Sequence, residues 1–209
     1  MFTMSTSIVN AIKNRIFEHG RGWVFTAHSF ADLDSYTGVR TALSRLQKER
    51  VIRRVAQGIY DYPKTHKTQG ILPPSVEEIA KAYAAKNGAQ IQAAGAYAAS
   101  LIGISMQTPD KVIFLTDGPI GKIKIKRFEI CFRKSSTKNI YAAGTKETLS
   151  VQVLKFIKQK HLTAEVLTVI REFLRKGLNK KDFEKNLQYA PYWIKVTLFE
   201  LMKDKLERY

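Results

Sequence analysis

Thr37, Arg40, Thr41, Ser44, Arg45 and Lys48 recur at spacings that collect them on one side of a single short segment. Spacings of three and four residues put such positions on one face of a helix. No acidic residue joins them before Glu49. The chemistry of such a face is recognition. Arginine donates two parallel hydrogen bonds to guanine, and threonine and serine pair with other base edges. Arg45 and Lys48 lie further along, where they would meet phosphates. Arg53 and Arg54 follow, then Gln57. Contacts of that kind fix a protein's register on a duplex without reading its sequence.

Groups for bond-making chemistry are not gathered in this way. His19, His28, His66 and His161 are scattered and lack metal-ligand spacing. There is no glycine-rich phosphate loop and no dinucleotide fingerprint. Asp110, Asp117 and Glu129 are the only acids placed to hold Mg²⁺ for a nuclease. Asp117 precedes Gly118 and reads better as a turn residue. Cys131 is the single cysteine, so no disulfide framework exists and a reducing compartment is expected. It sits in an apolar strand pattern, where a buried structural thiol is the expectation. The chain is therefore expected not to be an enzyme and to need neither cofactor nor metal.

The positioning elements can be read on either side of the basic segment. Ile8, Ile12 and Ile16 recur at helical spacing, with a stop at Gly20 and Gly22. Trp23-Val24-Phe25 is a short apolar strand or staple. A short helix is expected from His28 to Leu33. Asp34 or Ser35 then caps a third helix running to about Arg50. Its apolar stripe is Tyr36, Val39, Leu43 and Leu46. Two β-rich runs, Val51–Val55 and Ile59–Tyr62, flank Ala56-Gln57-Gly58 and form a hairpin. Three helices and a hairpin make a winged helix-turn-helix, whose third helix enters the major groove.

Pro63 to Pro74 holds three prolines and a glycine and reads as a join. The expected division is a DNA-binding domain over 1–63, a linker over 64–74 and an α+β domain over 75–209. Ser75 and Glu78 have capping-box spacing for a helix ending near Gly88. A second helix is expected from about Ala93 to Gly103. Lys111 to Thr116 is a strand, closed by Asp117-Gly118-Pro119. Ile123 and Ile125 alternate with Lys122, Lys124 and Lys126. Phe128, Ile130 and Phe132 alternate in the opposite phase, which places a turn or bulge near Lys126-Arg127. A small antiparallel meander is expected. Lys122, Lys124, Lys126 and Arg127 are either a second polyanion contact or lysines protecting a sheet edge. The C-terminal third is helical, with stripes such as Leu149, Val153, Phe156 and Ile157 that serve as core or as a partner surface.

The 209 residues carry 35 Lys and Arg against 18 Asp and Glu, a net charge of +17. A field of that sign attracts polyanions, with nucleic acid first and an anionic membrane second. The uncharged stretch 87–109 is built from Ala, Gly, Gln and Ser, which insert poorly into a bilayer. The first residues lack the pattern of a secretory signal. A cytoplasmic protein is expected.

Two motifs carry a family resemblance. One is Val39-Arg40-Thr41-Ala42-Leu43-Ser44-Arg45-Leu46 with Val51-Ile52-Arg53-Arg54-Val55-Ala56-Gln57-Gly58-Ile59-Tyr60. The other is Leu101-Ile102-Gly103-Ile104 to Gln107-Thr108-Pro109, followed by Phe114-Leu115-Thr116-Asp117-Gly118. Together they resemble the AbiEi family of type IV antitoxins and related bacterial regulators, over roughly residues 8–135. The resemblance implies a negatively autoregulating repressor that binds inverted repeats in its own promoter. It implies an antitoxin role against a nucleotidyltransferase-type toxin, without an obligatory stable complex. Arg40, Arg45, Arg53 and Arg54 are the DNA-contact positions it carries over. The other readings are a nucleic-acid enzyme or accessory nuclease docked by the winged helix, and a protein-interaction module with incidental charge.

Overall fold

The computed structural model describes residues 3–125, 128–177 and 179–206. The fold is α+β, with small sheets and a helical C-terminal region. It comprises two compact units, Met1–Ala89 and Gln90–Tyr209.

The first unit opens with α1 (Thr3–His19), which buries Ile12 and Ile16 completely. Gly20 ends it at φ +82, donating its N–H back to the Ile16 and Phe17 carbonyls. Strand β1 (Val24–Thr26) leads into a single 3-10 turn, Ala27–Phe30. The sequence suggested a helix to Leu33. Instead Ala31 and Leu33 donate three residues back, to His28 and Phe30, so the chain tightens and leaves the helical path. Next comes α2 (Tyr36–Lys48), capped by the Ser35 hydroxyl, which accepts from the Gly38 N–H at 3.2 Å. Val39, Ala42, Leu43 and Leu46 are buried against Ile12, Ile16, Phe25 and Phe30 in one apolar cluster. Tyr36 is a correction to the expected stripe. It stands in the first turn, ahead of the packed positions, and is 57% exposed.

Strands β2 (Arg53–Ala56) and β3 (Ile59–Asp61) form the hairpin, with β3 central between β1 and β2. Gly58 turns the chain at φ +72. The pairing Ala56↔Ile59 gives way to Arg54↔Tyr60 and Arg53↔Asp61, a bulge at Val55. The join is not bare loop: β4 (Thr65–His66) and β5 (Gly70–Ile71) pair antiparallel within it. Beyond it α3 (Val76–Lys86) is capped by Ser75, whose hydroxyl accepts from the Glu78 N–H. This helix packs on β1, the 3-10 turn and β3. Ala80, Ala82 and Ala84 let it approach closely around Ile79. Where the sequence suggested a break at 64–74, packing therefore carries the first unit on to Ala89.

Arg15 of α1 grips Asp32 with two hydrogen bonds, at 2.6 and 2.7 Å. These bonds hold the Asp32 carboxyl well down, at about 2. A depressed carboxylate stabilises the fold above its ordinary pKa, and that contribution disappears as pH falls through the folded value. Asp32→Asn should therefore flatten the acid limb of the stability curve between about pH 4 and pH 2. Superimposable acid-unfolding curves for the two proteins would refute this.

The second unit begins with β6 (Ile91–Ala94) and α4 (Gly95–Leu101). The expected helix from Ala93 thus starts later, because Gly95 at φ +64 breaks the chain between strand and helix. Then follow β7 (Lys111–Thr116), β8 (Gly121–Ile125) and β9 (Phe128–Lys134). Their order is β6-β7-β9-β8, with β7 and β9 parallel. This corrects the antiparallel meander. Ile130, Cys131 and Phe132 are buried in succession, and Val112 and Phe114 pair with Ile130 and Phe132. Such a strand gains most in the interior of a sheet. Strand β8 exposes Lys122 and Lys124, and lysine is tolerated at an edge. The expected turn at Lys126-Arg127 lies outside the described residues.

Helices α5 (Lys146–Ile157), α6 (Ala164–Arg175), α7 (Lys180–Asn186) and α8 (Tyr192–Leu206) complete the unit. Their stripes form a core: Val153, Leu154, Ile170, Leu174, Phe183, Ile194, Leu198 and Met202 are all buried. Phe156 is the exception among the residues singled out, being half exposed. Among the described residues, no helix is long and apolar enough to cross a membrane.

Candidate nucleic-acid interface

An open cleft of about 1100 Å³ lies in the first unit between α2 and the β2–β3 hairpin. Its position follows from how α2 is made. Burying Val39, Ala42, Leu43 and Leu46 turns Thr37, Arg40, Thr41, Ser44, Arg45 and Lys48 outward, and all six are exposed. All six line the cleft, with Arg54 and Gln57 facing them from the hairpin. Eight of the nine sequence-derived contact residues are thus brought to one concave surface.

The ninth, Arg53, is not among them. Its guanidinium pairs with Asp61 through Nε to Oδ1 at 3.0 Å and through Nη2 to Oδ2. Nη2 also donates to the Leu72 carbonyl at 2.9 Å. Asp61 is only 1% exposed. The bulge at Val55 decides this arrangement. Continued from Ala56↔Ile59 without it, the ladder would set Arg54 opposite Asp61 and leave Arg53 one place further on. One extra residue exchanges their roles. Arg53 becomes an internal tie from hairpin to join, and Arg54 remains in the cleft.

The cleft also holds residues that sequence reasoning passed over: Tyr36, His28, Tyr60 and Lys86. Tyr36 continues an apolar spacing, which predicts a core position. Its place directly after the capping Ser35 is the signal that could have marked it as exposed. Lys86 comes from α3, beyond the expected domain boundary, so nothing local linked it to the hairpin.

Five cations therefore converge, Arg40, Arg45, Lys48, Arg54 and Lys86, and no acid lines the cleft with them. Arg45 has a counter-charge in Glu49 at 3.0 Å. The other four make no ion pair among the described residues. Arg40 lies over the Tyr36 ring, its guanidinium carbon 5.7 Å from the centroid. That contact steadies the side chain while leaving its hydrogen-bond donors free. Thr41 already donates to the Thr37 carbonyl at 3.0 Å, so its hydroxyl is offered as an acceptor. Arg54 makes one long bond, 3.4 Å, to the Ala56 carbonyl. Uncompensated cations in a concave site raise the local concentration of anions.

The second basic patch has a different character. Lys122 and Lys124 are exposed on β8, opposite Cys131 and Glu129 of β9. Lys126 and Arg127 lie outside the described residues. The Cys131 thiol donates to Glu129 at 3.4 Å, and that bond, with Lys122, Lys111 and Lys124 nearby, holds the Glu129 carboxyl below its usual range. Burial, then Glu129, pushes the Cys131 thiol up. These lysines already have a carboxylate among them. Asp117, another of the candidate metal acids, is engaged elsewhere. The Asp117 carboxylate accepts from the Gln90 N–H at 2.8 Å. Among the described residues, no three His, Cys, Asp or Glu side chains are grouped to hold a metal ion.

A family model matches residues 11–182, which takes in α2, the hairpin, α3 and the sheet of the second unit. The chain belongs to the family of unknown function DUF6088. The match thus covers the whole cleft of this family member, including the α3 segment that supplies Lys86. No curated protein matches it. Among solved structures, the crystal structure of RV2827C protein from Mycobacterium tuberculosis aligns over 97% of this chain and 77% of its own, at 12% identity and a TM-score of 0.43.

Proposed function

We propose that this protein is a sequence-specific repressor that binds duplex DNA in its own promoter through the α2–hairpin cleft. The observation that carries the proposal is the cleft itself: five cations, four without a counter-charge, around a helix face of hydroxyls and no acid. The order α1, 3-10 turn, α2, then a hairpin joined to β1, supports reading the first unit as a winged helix-turn-helix. In that reading α2 enters the major groove with Tyr36, Thr37, Arg40, Thr41 and Ser44 toward base edges. Arg45, Lys48 and Arg54 hold phosphates. The two motifs that resemble AbiEi antitoxins extend the proposal to an antitoxin acting against a nucleotidyltransferase-type toxin, in the cytoplasm and without catalysis of its own.

The test is binding of the full chain to DNA from upstream of its own gene and to a scrambled duplex, across a salt series. A specific repressor prefers the former by about a thousandfold or more at physiological salt. Equal affinities that collapse together as salt rises would mean nonspecific electrostatic binding and would overturn the repressor reading. Arg54→Ala should weaken both duplexes alike and reduce the slope of log K against log salt by about one. An Arg54→Ala protein with an unchanged slope would remove Arg54 from the phosphate contacts. The antitoxin role is tested separately, by co-expression with a nucleotidyltransferase-type toxin encoded beside its gene: growth restored supports it, and no rescue removes it.

A further inference from the structure

The cation supplied by α3 does not follow from a helix-turn-helix and its hairpin alone. Lys86 stands in the last turn of α3, and its side chain extends to the hairpin turn. A Cβ built on Gly58 would sit 3.2 Å from the Lys86 ammonium and 3.8 Å from the neighbouring methylene. The lysine ammonium thus lies directly against the glycine of the hairpin turn. The helix is held there by its packing on β1, the 3-10 turn and β3, so the reach of Lys86 is set by folded structure. Lys86 is half-buried, lines the same cleft as Arg40 and Arg54, and makes no ion pair among the described residues.

We infer that Lys86 is a phosphate contact of the DNA-binding surface, delivered by α3 to the hairpin turn, and that α3 is an integral part of that surface. The inference rests on the duplex-binding proposal above. It assigns the segment Val76–Lys86 a binding role. The ammonium at the turn would bind a backbone phosphate on the flank of the groove that α2 occupies. Such a contact adds affinity on every sequence and releases one counterion.

The experiment compares wild type, Lys86→Met and Lys86→Arg as full chains, on the upstream duplex and a scrambled one, from 50 to 200 mM salt. Methionine keeps the apolar stem over Gly58 and removes only the charge. Lys86→Met should lower the log K–log salt slope by about 0.9 on both duplexes and weaken binding about three- to tenfold. Lys86→Arg should restore the slope, with thermal midpoints of all three proteins alike. An unchanged slope for Lys86→Met, alongside wild type that binds in a salt-dependent way, would overturn this inference and leave the duplex-binding proposal standing. A loss of preference for the upstream duplex alone, without a slope change, would also overturn it, since that is the mark of base reading. Wild type that binds neither duplex would overturn both.

Discussion

Asp61→Ala will lower the thermal unfolding midpoint by roughly 10–20 °C, a loss of about 2–3 kcal/mol in a unit of this size. The carboxylate is buried and accepts two hydrogen bonds from Arg53. Removing one partner of a buried pair leaves the other charge uncompensated, which costs about 3–5 kcal/mol when both are fully enclosed. The Arg53 side chain is 35% exposed, so water enters and brings the cost below that range, to about 2–3 kcal/mol. Arg53→Ala should destabilise comparably, because it strands Asp61 and frees the Leu72 carbonyl. Asp61→Asn should be milder, since an amide keeps one acceptor. Thermal unfolding followed by circular dichroism measures all three. Were Arg53 a DNA contact, Arg53→Ala would leave the midpoint in place and weaken DNA binding. That pattern would overturn the internal-tie assignment.

Arg40→Ala will reduce the preference for the upstream duplex by about 1–3 kcal/mol, while affinity for scrambled DNA changes little. That is a loss of roughly 5- to 150-fold in discrimination. The difference between Arg40 and Arg54 lies in placement. Arg40 is one turn into α2, beside Tyr36 and Thr37, whereas Arg54 belongs to the hairpin. Arg40→Lys should not rescue, because an ammonium lacks the planar fork that grips both guanine acceptors. Equal losses on upstream and scrambled duplexes would refute the base-reading role and reassign Arg40 to phosphates.

What the sequence made legible was governed by local periodicity. The α2 face needed only the spacing of Val39, Leu43 and Leu46, and the hairpin needed only Gly58 between two β-rich runs. The eight candidate residues that line the cleft followed from those two elements. Apart from the local 3-10 turn after β1 and the Gly95 break, the misplacements turn on register or on packing between segments. Arg53 and Arg54 are adjacent and chemically identical, and a single bulge at Val55 decides which one meets Asp61. Tyr36 satisfies an apolar spacing, but it stands in the first turn of α2 and is exposed. Lys86 lies 28 residues beyond Gly58, and only the packing of α3 brings them together. The mixed sheet escaped for the same reason. Local pattern identified β7, β8 and β9 as strands but carried no information on which of them would be neighbours.

That strand order has a consequence for synthesis. Strand β7 emerges from the ribosome with one edge served by β6, already made, and the other awaiting β9. The waiting edge belongs to Val112-Ile113-Phe114-Leu115, a run with high β-propensity and no charge. The partner that completes it ends 18 residues later, at Lys134. Translation covers that length in roughly one to four seconds at 5–20 residues per second. For that interval the nascent chain exposes an adhesive edge that a second nascent chain, or a holding chaperone, could bind. Fast decoding of 117–134 should then raise soluble yield, and a programmed pause there should lower it.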